Sequence, residues 1–203
     1  MSGRNIIIAL AVVFLIGIGI GILFGNTGMF QRKVVHYTYF EVGRLEAKTS
    51  YRGFVKHGVE RLFHANNGRI SAERTYRNGQ RHGEAMWFHE NGQLSRSANY
   101  ANGLLNGTAK RFRENGSLSN EWMFENGELH GIQREYYENG NLESETMFEN
   151  GVSHGMARIY HENGNLRILG NFENGEIHGT IIMYDVNGRE TGREVWVHGT
   201  RVR

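Results

Sequence analysis

The stretch Leu142-Glu143-Ser144-Glu145-Thr146-Met147-Phe148-Glu149-Asn150-Gly151-Val152-Ser153-His154-Gly155 decides the fold. Leu142 and Phe148 lie an even number of residues apart, with Glu143 and Glu145 at odd places between them. On a strand this alternation sends Leu142 and Phe148 to one face; the apolar period is two, not 3.6. Asn150-Gly151 then ends the run. Asn-Gly is a strong hairpin signal in general, because both residues tolerate the positive φ that type I′ turns require, so the chain reverses here. Two reversals per unit are expected: a short one around Glu138-Asn139-Gly140 and a longer one running from Glu149 through His154-Gly155.

Working outward, the same pattern returns every 24 residues. One Asn-Gly series ends at Gly68, Gly92, Gly116, Gly140, Gly164 and Gly188, and a second at Gly79, Gly103, Gly127, Gly151 and Gly175. A third glycine series, Gly83, Gly107, Gly131, Gly155 and Gly179, is preceded by His82, Asn106, His130, His154 and His178. Two aromatic columns accompany them: Phe88, Phe112, Tyr136, Tyr160 and Tyr184, and Tyr76, Tyr100, Phe124, Phe148, Phe172 and Trp196. An aliphatic column runs Ile70, Leu94, Leu118, Leu142 and Leu166. Self-similarity at a fixed period marks a stacked repeat, in which one unit is too small to fold without neighbours. The expected fold is all-β: an elongated antiparallel meander of repeated hairpins, about twelve strands in six units, with both aromatics and the aliphatic residue of each unit on one face. The ends depart from the pattern. Leu45 and Tyr51 keep the aliphatic-to-aromatic spacing in the first unit, whereas Glu190 replaces the aliphatic residue before Trp196. A charge on an exposed last strand protects against edge pairing.

Composition narrows the function classes. The 203 residues carry 23 Lys plus Arg against 21 Asp plus Glu, a balance that argues against a nucleic-acid binder held by counterion release. There is no Cys, which excludes disulfides, thiol catalysis and Cys-based zinc ribbons. Pro is absent and Gly reaches 28, the composition of a chain of tight reversals whose ladder cannot spare an N–H.

The N-terminus reads differently. Ile6 to Phe24 are nineteen residues drawn only from Ile, Ala, Leu, Val, Phe and Gly, enough to span a bilayer as a helix. The run is longer than a signal-peptide core and no Ala-x-Ala follows, so it reads as an uncleaved transmembrane anchor. Gly17, Gly21 and Gly25 fall four apart on one face, a GxxxG-like surface for a homodimer. Counting Arg4 against Arg32, Lys33 and Arg44 places the bulk of the chain inside; the very short tail before a single anchor argues for export, the reading adopted here. The organisation is a tail and anchor over 1–30, a linker and start of cap over 31–42, and repeats over 43–203.

The segments Tyr76-Arg77-Asn78-Gly79-Gln80-Arg81-His82-Gly83 and Phe148 to Gly155 resemble the MORN repeat, an aromatic followed by x-Asn-Gly-x-x-His-Gly. Tyr136 to Gly140 is similar to the bacterial variant of that repeat. The sequence departs from the eukaryotic pattern two residues before the second aromatic, where Gly170 alone is Gly and Arg74, Ala98, Trp122 and Thr146 take its place. The resemblance implies a repeat protein that contacts proteins or membranes; with the anchor, the expected location is a bacterial inner membrane with the repeats exported. For the variant it also implies an antitoxin-like role.

Chemistry finds little purchase. Histidines one unit apart are two strand spacings, about 9.6 Å, from each other and cannot share a zinc ion whose ligands lie at about 2 Å. Glu125 with His130, and Glu149 with His154, flank one loop each and are candidates to pair across it. Asp185 is the only aspartate, so a Ser-His-Asp triad has one candidate acid and no distinguished partner. The reading is a non-enzyme without cofactor, metal or nucleic acid: a membrane-anchored scaffold for a protein partner. The alternatives are an antitoxin or immunity protein, or a lipid- or glycan-binding surface.

Overall fold

The computed structural model describes residues 33–203, and the anchor with Gly17, Gly21 and Gly25 lies outside them. No helix of the described residues is long and apolar enough to cross a membrane. The strands are β1 Lys33–Tyr39, β2 Leu45–Arg52, β3 Val55–Phe63, β4 Ile70–Arg77, β5 Gln80–Phe88, β6 Leu94–Ala101, β7 Leu104–Phe112, β8 Leu118–Glu125 and β9 Glu128–Leu129. There follow β10 Gly131–Tyr136, β11 Leu142–Glu149, β12 Val152–Tyr160, β13 Leu166–Glu173, β14 Glu176–Ile177, β15 Gly179–Tyr184, β16 Glu190–Val197 and β17 Thr200–Arg201. Every pairing is antiparallel. Each joins sequence neighbours or, as in β8–β10 and β13–β15, skips a two-residue strand. The described residues thus form an open, single-layer meander of 17 strands.

The two reversals exchange the roles expected of them. The second Asn-Gly series makes the tight turn: Asn78 and Gly79 have φ of 51° and 84°, and Arg77 pairs directly with Gln80. These are the two positive φ values of a type I′ hairpin. His-Gly is not part of the loop. It lies inside β5 and β12, as Asn106-Gly107 does in β7, and at the one-residue breaks between β9 and β10 and between β14 and β15. Gly83, Gly107 and Gly155 keep positive φ and the register slips, so that Tyr76 faces Arg81 but Arg74 faces Ala85. A single glycine at positive φ four residues past the turn glycine bends the strand instead of ending it, as a bulge does. In the first series only the glycine is positive: Gly92 N–H donates to His89 O at 2.8 Å and His89 N–H to Gln93 O at 2.8 Å, a three-residue loop closed by a glycine bulge.

The bulges also decide which face each column occupies. Phe88 stands opposite Leu94, Phe112 opposite Leu118, Tyr136 opposite Leu142 and Tyr160 opposite Leu166, each with a register slip just before the pair. The aliphatic column therefore goes with the first aromatic column. The second column belongs to the other face: on β7 and β8, Ala109 pairs with Trp122, two residues from Phe124, while Lys110 pairs with Glu121, two residues from Phe112. The expectation of one apolar face is thus overturned, because a bulge inserts one residue and resets the even count from Leu142 to Phe148. Neither face is a sealed core: among the described residues the buried apolar ones are Val34, Ala47, Ala72, Ala85, Ala98 and Ala109, and none of the large side chains is fully buried.

Besides the strand ladders, hydrogen bonds along the two long edges join neighbouring units. At the type I′ edge, the N–H groups of Gly103, Gly127 and Gly175 donate to Arg81, Leu105 and Ser153 carbonyls of the preceding unit at 2.8–2.9 Å. At the other edge, Asn67, Asn91, Asn139 and Asn163 use Oδ1 to hold their own turn and Nδ2 to reach the carbonyls of Glu90, Glu114, Glu162 and Val186 in the next. His64, His89 and His161 add Nε2 contacts of 3.0–3.1 Å to Phe88, Phe112 and Tyr184 carbonyls; a carbonyl only accepts, so Nε2 carries the proton.

Candidate interaction surface

The two faces of the ribbon differ in chemistry. On one, residues registered across successive strands run Lys110, Glu121, Arg134, Glu145, Arg158. Their charges alternate and every neighbour is in ion-pair contact: Lys110–Glu121 at 3.1 Å, Arg134 at 3.5 Å from Glu121 and 3.6 Å from Glu145, and Arg158 on Glu145. Opposite charges across a strand pair stabilise modestly each, and a network holds its members in place. Tyr160 lies 3.4 Å from Glu145; burial, and then the Glu145 charge, push its hydroxyl up. Every charge of this row is ion-paired.

The other face carries the row Thr49, Glu60, Arg74, Ala85, Ala98, Ala109, Trp122. At its start Glu60, 4% exposed, accepts from Lys56 at 2.7 Å, Tyr76 at 3.1 Å and Thr49 at 3.2 Å, with Arg74 at 3.4 Å. Burial alone would raise the Glu60 carboxyl; the hydrogen bond and charge of Lys56, the Tyr76 hydroxyl and Arg74 outweigh it and hold it below its ordinary range. Three alanines follow. They leave an open groove of about 310 Å³ floored by Ala98 and Ala109 and walled by Tyr100, Leu105, Trp122 and Phe124.

Arg96 and Arg111 also line that groove, and they stand directly opposite each other. Like charges in that relation are destabilising. Arg96 lies over the Trp87 ring at 4.0 Å from its centroid. Among the described residues neither Arg96 nor Arg111 has an ion pair. The groove is thus an apolar trough with two uncompensated positive charges along it.

The residues singled out from sequence fall as follows. Glu125 and His130 lie 3.7 Å apart, and the equivalent Glu173 and His178 3.3 Å apart. Glu149 and His154 form no ion pair among the described residues. Asp185 is a turn residue, its Oδ1 accepting from Asn187 and Arg189 N–H at 2.9 Å. The Arg96–Arg111 pair was not visible beforehand, because bulges intervene between the two strands' turn signals and their facing positions.

The sequence profile described as MORN repeat variant matches four tandem times, at residues 81–102, 105–126, 129–150 and 153–174. No curated protein matches the chain. Among solved structures, a porin-like protein from Bacteroides uniformis ATCC 8492 shares 11% identity over 88% of this chain and 90% of that one, with a TM-score of 0.23, a similarity that bears on no functional conclusion.

Proposed function

Starting from the premise that this chain is a MORN repeat protein, with four tandem MORN-variant units over residues 81–174, we propose that it is a membrane-anchored, non-catalytic scaffold. The groove on its Ala98–Ala109 face would receive an extended acidic segment of a partner protein. The observation that carries this reading is the facing, unpaired Arg96 and Arg111 beside half-buried Tyr100, Trp122 and Phe124. A cationic pair on an apolar floor favours a ligand with carboxylates spaced along an apolar or aromatic anchor. A repeat stack supplies a long surface of this kind from one small unit. The nineteen-residue apolar run over Ile6–Phe24 would hold that surface at a bilayer.

The test is a photo-crosslinker at Leu105 in the full chain in intact membranes, alone and with Arg96→Glu and Arg111→Glu together. A discrete protein adduct that maps to an acidic segment, and falls at least about tenfold on charge reversal, is expected. An adduct undiminished by reversal, or one formed only with lipid, overturns the reading; the lipid outcome supports a headgroup- or glycan-binding surface. Should the adduct be a toxic enzyme whose lethality this chain lifts, the scaffold role gives way to an immunity role.

A further inference from the structure

The last hairpin differs from all the tight turns before it. Five turns place Asn at positive φ ahead of Gly: Asn78, Asn102, Asn126, Asn150 and Asn174. The last tight turn, Val197 to Thr200, places His198 there, at φ 45°, ahead of Gly199 at 73°. Stacking can set such a turn beside the histidine of the unit before, as where Asn78 N–H meets His57 Nδ1 at 3.4 Å. Replacing Asn by His at the final turn therefore puts two imidazoles together, and the His178 and His198 ring centroids are 4.8 Å apart.

A carboxylate completes the group. Glu173 Oε2 lies 3.3 Å from His178 Nδ1. That nitrogen is itself buried and has no hydrogen-bond partner of adequate geometry. One ligand atom from each of Glu173, His178 and His198 falls within 4.8 Å of the others. Donors bound tetrahedrally at 2.0–2.1 Å from an ion lie about 3.4 Å from one another, so the Glu173–His178 edge already has the needed length. The remaining edges need close by at most about 1.4 Å, within reach of rotation of the exposed His198 side chain. The His178 Nδ1 orphan alone is a repeat feature, shared with His82 and His130. Only at the C-terminal end does a second imidazole face it.

We propose that Glu173, His178 and His198 bind one divalent transition-metal ion of the Zn2+ type, with water in the fourth position. Two imidazoles and a carboxylate suit such an ion. The site joins β13, the β14–β15 junction and the β16–β17 turn, so the ion clips the terminal hairpin to the stack. It lies at the far end of the repeats from the Glu60 cluster and is independent of the groove.

The experiment titrates the detergent-solubilised full chain with Zn2+ against a chromophoric chelator, and follows its thermal unfolding with and without Zn2+. One equivalent is expected to bind and to raise the unfolding midpoint. His198→Asn restores the residue that five other turns use and so keeps the fold; it is expected to cost at least about tenfold in affinity and to remove the Zn2+-dependent rise in midpoint. Glu173→Gln is expected to weaken binding, and His130→Ala to leave it unchanged. Wild-type affinity in His198→Asn, equal loss in His130→Ala, or no binding by the wild-type chain overturns the site.

Discussion

The β3–β4 pair and the β5–β7 strands occupy equivalent places in the repeat yet are filled by opposite chemistry. Glu60 stands where the later units have Ala85 and Ala109, and Arg74 where the next unit has Ala98. In the middle of the ribbon, small apolar side chains lie nearly inaccessible between larger neighbours: Ala85 is 1% exposed and Ala98 3%. At its start, a carboxylate equally hidden is held by Lys56, Arg74, Tyr76 and Thr49. One backbone accepts both solutions because the position demands only that nothing polar be left unpaired. The ionic version makes every member depend on the others; the alanine version depends on none.

The sharpest way to break this contrast is Glu60→Ala. It writes the later units' residue into the first one but strands Arg74 and Lys56, and it is expected to destabilise by about 2–4 kcal/mol, read as a lowered midpoint of urea unfolding. Glu60→Ala with Arg74→Ala copies the Ala85–Ala98 pair and should recover most of that loss. If the double variant is as unstable as the single, the two solutions are not interchangeable.

A smaller effect separates them by pH. Because the folded Glu60 carboxyl is held down, its contribution is fully present above the unfolded carboxyl's range, about pH 4.3, and is lost as pH falls through the lowered folded value. Lys56 is the mirror case: burial opposes its charge, but the bond and charge of Glu60 prevail and raise it, so the same stabilisation is lost only as pH climbs past the ordinary lysine range. Acid unfolding of Glu60→Gln should lack the component below about pH 4.3 that the wild-type chain shows.

The smallest expected effect comes from the edge that both regions share. Asn91→Ala removes the bond to Glu114 O and the brace to Gln93 N–H, at a cost of about 1 kcal/mol. Asn91→Asp keeps the brace and loses only the donor, so it should fall between the two. Equal losses in both variants would mean that the bond between units, not the turn, carries the energy.

Much of this was readable from the chain alone, and the failures are instructive. The 24-residue period, the strands and the places of reversal are local: alternation and Asn-Gly act within a few residues, so no partner strand need be known. Which Asn-Gly series makes the tight hairpin was read the wrong way round. The same dipeptide serves both, and the difference lies in Asn91 Oδ1 bracing Gln93 N–H, against Asn78 itself turning to positive φ. His82-Gly83 was read as loop, since glycine after a turn signal does not distinguish a longer loop from a bulge inside a strand.

By itself the sequence determined an antiparallel stack of hairpins, because turn chemistry and a side-chain period of two are properties of neighbouring residues. Only the tertiary structure decided which columns share a face, what meets across strands, and that His198 reaches His178. Each bulge adds a residue to one strand and not its partner, so the parity of every later position depends on the pairing itself. That is how two aromatic columns come to lie on opposite sides, and how Arg96 comes to face Arg111 over an open floor.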